Sequence, residues 1–141
     1  MRQTARRFDF VGSERDFESH ILDNVDDIAR ACGWGEISRI ERQFTVKFVG
    51  HHIIVDVMLW HSDGTGTVIE CKTGKTNRND LLTSIGQVLF YGANLSTALG
   101  QMPRLVIAAP FISPYIHGTI KRFDLPICLL SVDGNQCTYL S

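Results

Sequence analysis

Apolar residues recur every three or four positions along the first part of the chain, from Phe17 to Ile28. This spacing places them on one face of an amphipathic helix. Ser13, with acidic residues in the turn that follows it, is typical of a helix N-cap, and the Gly33-Trp34-Gly35 run ends the pattern. We therefore predict a helix over residues 14–31.

The middle of the chain changes to strand-like patterns, over residues 37–49, 52–60 and 67–72. Gly50 and the Asp63-Gly64 turn separate these runs, which is typical of hairpins. The remaining pattern predicts a helix over residues 79–99, a strand over 104–109, a helix over 112–122, a strand over 126–131 and, after a turn, a last short strand. This order, α-β-β-β-α-β followed by α-β-β, indicates a single α/β domain over residues 1–141, with a mixed sheet flanked by helices.

Composition narrows the class of protein. With 44% apolar and 21% charged residues, the 141-residue chain is typical of one compact domain and unlike a disordered or coiled-coil chain. Lys and Arg number 14 against 15 Asp and Glu, which argues against nucleic-acid binding through bulk positive charge. The sequence shows no secretory signal and no run long enough to cross a membrane. Its four cysteines include no CxxC pair, so we expect reduced thiols in a cytoplasmic protein.

Asp56 is an unexpected residue within the second strand. The run from His52 to Trp60 is apolar on both faces, which is typical of a central strand. Regular alternation places Asp56 on the same face as Ile54 and Met58. Burying a lone carboxylate there is costly, so Asp56 is either paired at the end of the strand or part of a metal site.

The third strand adds Glu70 and Lys72, which share a face. A hairpin between the two strands can bring Asp56 beside Glu70, and two adjacent carboxylates favour a divalent cation. With the backbone carbonyl of Cys71, they form the incomplete oxygen shell that Mg²⁺ accepts. Such an ion can activate a water and stabilise charge on a phosphate. Lys72 would orient or deprotonate that water, or neutralise the developing charge, and the sequence leaves these roles open.

Both amphipathic helices carry polar residues beside this candidate site. Glu18 falls inside the apolar stripe of the first helix, where it would either contact the metal or its ligands, or lie at the edge of the stripe and reach water. On the second long helix, Ser84, Gln87 and Tyr91 lie together beside the buried stripe, with Gln87 and Tyr91 one turn apart. These three are either contacts to a metal-bound water or a phosphate, or ordinary boundary residues.

The residues of the two strands resemble the motif of the PD-(D/E)xK nuclease superfamily, whose shared core is αβββαβ. Asp56 matches the motif Asp, Glu70 the second acidic position and Lys72 the Lys, whereas Val55 replaces the motif Pro. The chain therefore departs from the full motif at one position.

The second long helix extends the resemblance. Gln87 and Tyr91 are similar to the Q-x-x-x-Y helix of the RecB-like branch of this superfamily. Together with segments 13–18 and 42–46, this helix is similar to the catalytic domain of the NucS/EndoMS endonucleases. The resemblance covers roughly residues 13–109.

The resemblance implies a restriction-endonuclease-like fold and Mg²⁺- or Mn²⁺-dependent hydrolysis of phosphodiester bonds in DNA. Asp56 and Glu70 would be metal ligands, Lys72 the catalytic lysine, and Glu18 and Gln87 supporting site residues. The NucS/EndoMS enzymes carry a further DNA-binding and dimerisation domain, for which this chain has no room. We therefore expect a stand-alone nuclease domain that does not share their mismatch specificity.

Basic residues cluster locally in spite of the near-neutral balance. Lys75 and Arg78 follow the third strand, where they would line the path of the DNA phosphates. Ser84 and Tyr91 are the predicted DNA contacts on the next helix. We expect a flexible basic arm over residues 1–12, for which DNA contact and simple solvation both stay open; its basic residues are Arg2, Arg6 and Arg7.

The leading hypothesis is a metal-dependent DNA endonuclease, structure-specific for branched, junction or flap DNA. We expect a homodimer, because one small domain contacts few phosphates. The alternatives are a non-catalytic nucleic-acid-binding module and a subunit of a larger nuclease complex; the intact set of Asp56, Glu70 and Lys72 argues against the module. The sequence leaves open the substrate structure, the choice of DNA over RNA, and a role in repair, host defence or phage recombination.

Overall fold

A computed structural model describes residues 13–48, 50–73, 78–133 and 136–140. None of the helices in these ranges is long and apolar enough to cross a membrane. The predicted basic arm over residues 1–12 lies outside them. In chain order the elements are α1 (Glu14–Asp23), α2 (Val25–Cys32), β1 (Ile37–Phe48), β2 (His51–His61), β3 (Gly66–Cys71), α3 (Arg78–Leu99), β4 (Arg104–Ala109), α4 (Pro114–Arg122), β5 (Cys128–Asp133) and β6 (Gln136–Leu140).

These six strands form one sheet, in which they are ordered as they occur along the chain. β1, β2 and β3 are antiparallel neighbours, β3, β4 and β5 are parallel, and β6 returns antiparallel to β5. α3 and α4 provide the two crossovers that parallel pairing requires. The predicted α/β architecture, a mixed sheet flanked by helices with an αβββαβ core, is confirmed.

Helices cover both faces of the sheet and divide its core in two. We call the part beneath α1 and α2 the α1-side core; it includes Phe17, Ile21, Ile28, Val57, Leu59 and Ile69. The part beneath α3 and α4 is the α3-side core; it includes Val55, Met58, Val88, Leu95, Leu105 and Ile116. Residues of the central strands contribute to both, so α1 and α3 lie on opposite faces of the same strands.

The predicted helix over residues 14–31 is two helices, which meet at Asn24. α1 begins with a capping box, in which the Ser13 hydroxyl accepts from the Asp16 amide at 3.1 Å and the Asp16 carboxylate accepts from the Ser13 amide at 2.9 Å. At the junction, the Asn24 side chain donates to the His20 carbonyl at 2.9 Å, which competes with regular helical pairing. The apolar stripe continues across the break because both helices bury residues in the α1-side core.

The side chains of β2 change face at Asp56. Val55 belongs to the α3-side core and Val57 to the α1-side core, although residues two apart share a face in a regular strand. The expectation that Asp56 shares a face with Ile54 and Met58 is therefore wrong. Ile54 is exposed, whereas Met58 lies in the α3-side core.

The neighbouring strand is irregular at the same step. Arg42 pairs with Val57 and Phe44 with Val55, so Gln43 lies opposite Asp56. Its φ of 54° is in the left-handed region, which residues other than Gly rarely adopt. Both strands of the β1–β2 hairpin therefore depart from regular geometry where Asp56 lies.

Candidate active site

β2 and β3 separate at Asp56. Their antiparallel pairing ends at Val57 and Ile69, one step before Asp56 and Glu70 would face each other. The Asp56 carboxylate then accepts the hydrogen bond of the Cys71 amide, at 2.9 Å, in place of a backbone carbonyl of β2. β3 stays paired with β4 through Cys71. Asp56 and Glu70 are thus brought together at a fork in the sheet.

Glu70 is a buried carboxyl, 3% exposed. Burial, reinforced by the charge of Asp56, raises its pKa to about 7. Tyr91 of α3 lies against it, and burial together with the Glu70 charge raises the pKa of Tyr91 above its ordinary range. Among the residues that the structure describes, the Oε1 atom of Glu70 has no hydrogen-bond partner. A buried ionised oxygen in this state is costly unless a cation binds it.

Lys72 provides a positive charge beside Glu70. Its Nζ atom lies 3.4 Å from Oε2 of Glu70. Burial lowers the pKa of Lys72, but the charges of Glu70 and of Glu14 in α1 outweigh this effect and raise it. Lys72 is therefore an ammonium at neutral pH. Sequence reasoning missed Glu14, because acidic residues in the first turn of a helix are ordinarily explained by the helix dipole.

The fork offers an oxygen-rich donor set that fits a divalent cation. Asp56 is half-buried. Burial raises its pKa, and this effect outweighs the hydrogen bond from the Cys71 amide, which lowers the pKa. The Oε1 atom of Glu70, which has no partner among the described residues, belongs to the carboxyl that the Asp56 charge acts on. Within the described ranges, no three His, Cys, Asp or Glu side chains gather as a metal-binding group. The other ligands would be the Cys71 carbonyl and water, which is usual for Mg²⁺.

Glu18 lies inside the molecule, as its place on the helical wheel predicts. It is 4% exposed, so the alternative in which it reaches water from the edge of the stripe is wrong. It forms an ion pair with Arg42 of β1, and the Gln43 amide donates to it at 3.3 Å. Glu18 therefore contacts β1 directly, and its charge is one of the influences that raise the pKa of Asp56, after burial.

Sequence reasoning did not single out Arg42 and Gln43 as site residues. Two adjacent polar residues in a strand ordinarily point to opposite faces, whereas both reach Glu18 in this structure. The only available signal was the unmet need of a buried Glu18 for a positive partner.

The residues of α3 have different environments. Gln87 lies one turn before Tyr91, and its Oε1 is buried with no partner in the described part of the chain. Ser84 is fully buried and donates to the Leu81 carbonyl at 2.6 Å. The expectation that Ser84 contacts DNA is therefore wrong, because a hydroxyl without exposed surface cannot reach a phosphate. Tyr91, another predicted DNA contact, is buried against Glu70.

The other predicted DNA contacts are not placed by the structure. Lys75 lies outside the described residues. Arg78 begins α3, but its side chain is outside the described part of the molecule. Both therefore stay predictions.

Comparison with known proteins finds similarity at the level of structure. No family model and no curated sequence matches the chain. A repair endonuclease from Pyrococcus abyssi superposes with a TM-score of 0.62 and 23% identity, over 89% of this chain and 49% of that one. EndoMS, in a complex with double-stranded DNA, superposes with a TM-score of 0.57 and 20% identity, over 96% and 50%.

A third similar structure is Can2 from Sulfobacillus thermosulfidooxidans, solved with cyclic tetra-adenylate. It has a TM-score of 0.57 and 16% identity, over 80% of this chain and 30% of that one. The chain thus spans half or less of the length of these three proteins. Likeness at these identities establishes a common fold, with the same mixed sheet between two layers of helices.

Proposed function

We propose that this chain, which has the restriction-endonuclease-like fold of the PD-(D/E)xK nucleases, is a divalent-metal-dependent DNA endonuclease. The observation that carries the proposal is the fork between β2 and β3. There, a buried Glu70 oxygen without a partner lies beside a second carboxylate, Asp56, and beside the Lys72 ammonium. Residues that serve only to stabilise a fold are rarely arranged in this way, because each of these groups loses hydration without full compensation.

Asp56 and Glu70 would hold a Mg²⁺ or Mn²⁺ ion, together with the Cys71 carbonyl. The bound ion would acidify a water and stabilise negative charge on the phosphate. Asp56 is kept in place by the Cys71 amide, while Tyr91 lies against Glu70. Gln87, with a buried and unpartnered oxygen, is the supporting residue on the α3 side.

Lys72 would act as a cation rather than as a base. Its ammonium is stabilised by Glu70 and Glu14. At neutral pH it is therefore protonated and has no lone pair with which to accept a proton from water. From its place beside Glu70, it would orient the attacking water and neutralise the extra negative charge that develops on the phosphate. Of the roles that the sequence left open, this environment favours charge neutralisation.

DNA is the substrate that we propose, since one of the similar structures is named a repair endonuclease and another was solved with double-stranded DNA. A structure-specific activity on flaps or junctions is the finer form of the proposal. We also propose a homodimer, because a single small domain with a net charge of −1 contacts few phosphates. Light scattering coupled to size exclusion measures the oligomeric state, and a strict monomer on and off DNA would contradict the dimer.

The test of function is a cleavage assay on linear, flapped, mismatched and four-way-junction DNA, with Mg²⁺, Mn²⁺ or EDTA. We expect cleavage only with a divalent ion. We expect Asp56→Asn, Glu70→Gln and Lys72→Met each to reduce the rate by at least about 100-fold. Asp56→Asn is preferred to Ala because the amide oxygen can still accept from Cys71.

Asp26→Asn is the matched control, because it removes an exposed carboxylate of α2 and should cleave like the wild type. Cleavage in EDTA, or cleavage that survives Asp56→Asn and Glu70→Gln, would overturn the two-carboxylate mechanism. Tight DNA binding without cleavage under any metal would overturn the endonuclease proposal and favour a non-catalytic binding module.

A further inference from the structure

Gln43 has a backbone conformation that is unusual for a residue within a strand. It lies in the middle of β1 with φ at 54°, between two residues that pair regularly with β2. Left-handed backbone is unfavourable for every residue with a Cβ atom, and Gly is the usual solution. A non-Gly residue held there without a turn to explain it points to a function for its side chain.

The Gln43 side chain lies between two carboxylates on different elements. Its amide nitrogen is 3.3 Å from Oε2 and 3.5 Å from Oε1 of Glu18. Gln43 also lies opposite Asp56 in the pairing of β1 with β2, and its side chain acts on that carboxyl as a nearby donor that lowers its pKa. An amide nitrogen carries two hydrogens, so one group can serve both acceptors. Gln43 thus connects α1 to the fork in the sheet.

The left-handed backbone is what makes this connection possible. Arg42 also reaches Glu18, with its guanidinium, and adjacent residues of a regular strand point to opposite faces. The bend at Gln43 turns both side chains toward α1. Arg42 then neutralises Glu18, while Gln43 remains available to Asp56.

An uncharged donor suits a carboxylate that must bind a cation. Asp56 accepts a hydrogen bond from the Cys71 amide at 2.9 Å, and the nearby Gln43 side chain also favours its ionised form. Both are uncharged donors, so they orient and stabilise the carboxylate without cancelling its charge. An Arg or Lys at position 43 would instead compete with a metal ion for the same oxygen atoms.

We propose that Gln43 is a positioning residue of the metal site, and that its strained backbone is retained because it allows the amide to bridge Glu18 and Asp56. This inference rests on the proposed function and adds a residue outside the two motif strands and α3. It predicts that removal of the side chain weakens metal binding without lowering stability.

The test is Gln43→Gly, which relieves the left-handed backbone and removes the amide. In EDTA, we expect its thermal midpoint to be unchanged or a few degrees higher than that of the wild type. We expect Mn²⁺ affinity, measured by calorimetry without DNA, to fall by about tenfold or more, as happens when a residue that orients a metal ligand is lost. The DNA cleavage rate should fall with it.

Thr45→Gly is the matched control, two positions further along β1 at an exposed site. Glycine there should lower the thermal midpoint and leave Mn²⁺ affinity unchanged.

Unchanged Mn²⁺ affinity in Gln43→Gly would overturn the proposal for Gln43 alone, as would a loss of stability equal to that of Thr45→Gly. If Gln43→Gly weakens Mn²⁺ affinity but the wild type does not cleave DNA, the nuclease function is overturned and Gln43 remains a positioning residue. A wild type that does not bind Mn²⁺ would overturn both.

Discussion

At the scale of single residues, Glu70 is the carboxyl of the site whose pKa the fold moves to neutral pH. In the unfolded chain it releases its proton near pH 4.5, and in the folded chain near pH 7. Between these values the folded state binds the extra proton, so the free energy of unfolding falls as the pH rises and levels off above pH 7. Without a metal, the ionised site therefore opposes folding.

Glu70→Gln should remove this pH dependence. In EDTA, we expect the variant to gain stability relative to the wild type between pH 5 and pH 8, by about 1–3 kcal/mol, because one pKa unit corresponds to about 1.4 kcal/mol. Urea denaturation at both pH values measures the difference. Asp26→Asn, on the exposed surface of α2, should show no comparable trend. A Glu70→Gln effect of the same size at both pH values would contradict the raised pKa.

The sequence was sufficient to find the charged residues of the two motif strands, but not the partners that hold them. Asp56 and Glu70 are visible because carboxylates in apolar strands are rare, whatever the exact backbone geometry. Gln43 is not visible, since its role depends on a φ value of 54° that no residue pattern encodes. Ser84 was misjudged because helical spacing gives the direction of a side chain but not how deeply the helix is buried.

At the scale of elements, α3 depends on close contact with the sheet at one face and faces open space at another. A Cβ atom on Gly92 would lie 2.8 Å from Cδ1 of Leu105 in β4 and 3.1 Å from Sδ of Met102. A Cβ on Gly86 would meet nothing within 4 Å. The two glycines of one helix therefore have different reasons to be present.

Alanine at each position tests this difference. We expect Gly92→Ala to lower the free energy of unfolding by about 1–3 kcal/mol, because Leu105 is 1% exposed and has little room to move. We expect Gly86→Ala to raise it by about 0.5–1 kcal/mol, through the better helix propensity of Ala. Urea denaturation of both variants is the measurement. Equal effects of the same sign would show that α3 is not held against β4 at Gly92.

Most elements could be predicted from the chain, because the hydrophobic periods of helices and strands are distinct. The break at Asn24 could not, since the apolar stripe continues through it and the departure from helical geometry is local to Asn24, whose side chain bonds the His20 carbonyl. The change of face at Asp56 could not be predicted either, because a sequence pattern assigns the two faces of a strand only by regular alternation.

At the scale of the whole molecule, net charge and the proposed substrate oppose each other. The chain has a net charge of −1, which offers little general attraction to DNA. A divalent ion at the fork would offset two negative charges where the phosphate must approach. DNA affinity should therefore depend on the ion more than on the surface.

Ca²⁺ allows this to be measured apart from cleavage, because it binds the same oxygen ligands as Mg²⁺. We expect the dissociation constant for a labelled junction or flap, measured by fluorescence anisotropy, to fall at least about tenfold when EDTA is replaced by Ca²⁺. Glu70→Gln should lose most of this gain, whereas Asp26→Asn should keep it. Equal affinity of the wild type in EDTA and in Ca²⁺ would contradict the dependence on a site-bound ion.

The fork also divides the β1–β2 hairpin into two parts with different tolerance of change in length. On the Gly50 side of Asp56, β2 has no pairing with β3 in the described sheet. One residue added to each strand next to Gly50, outside the core residues Ile53 and Val55, would therefore only lengthen a two-stranded ribbon. One residue added between Asp56 and Trp60 would shift the register and turn the carboxylate away from Glu70. During evolution, insertions and deletions should therefore accumulate toward the tip of this hairpin and be eliminated at its base.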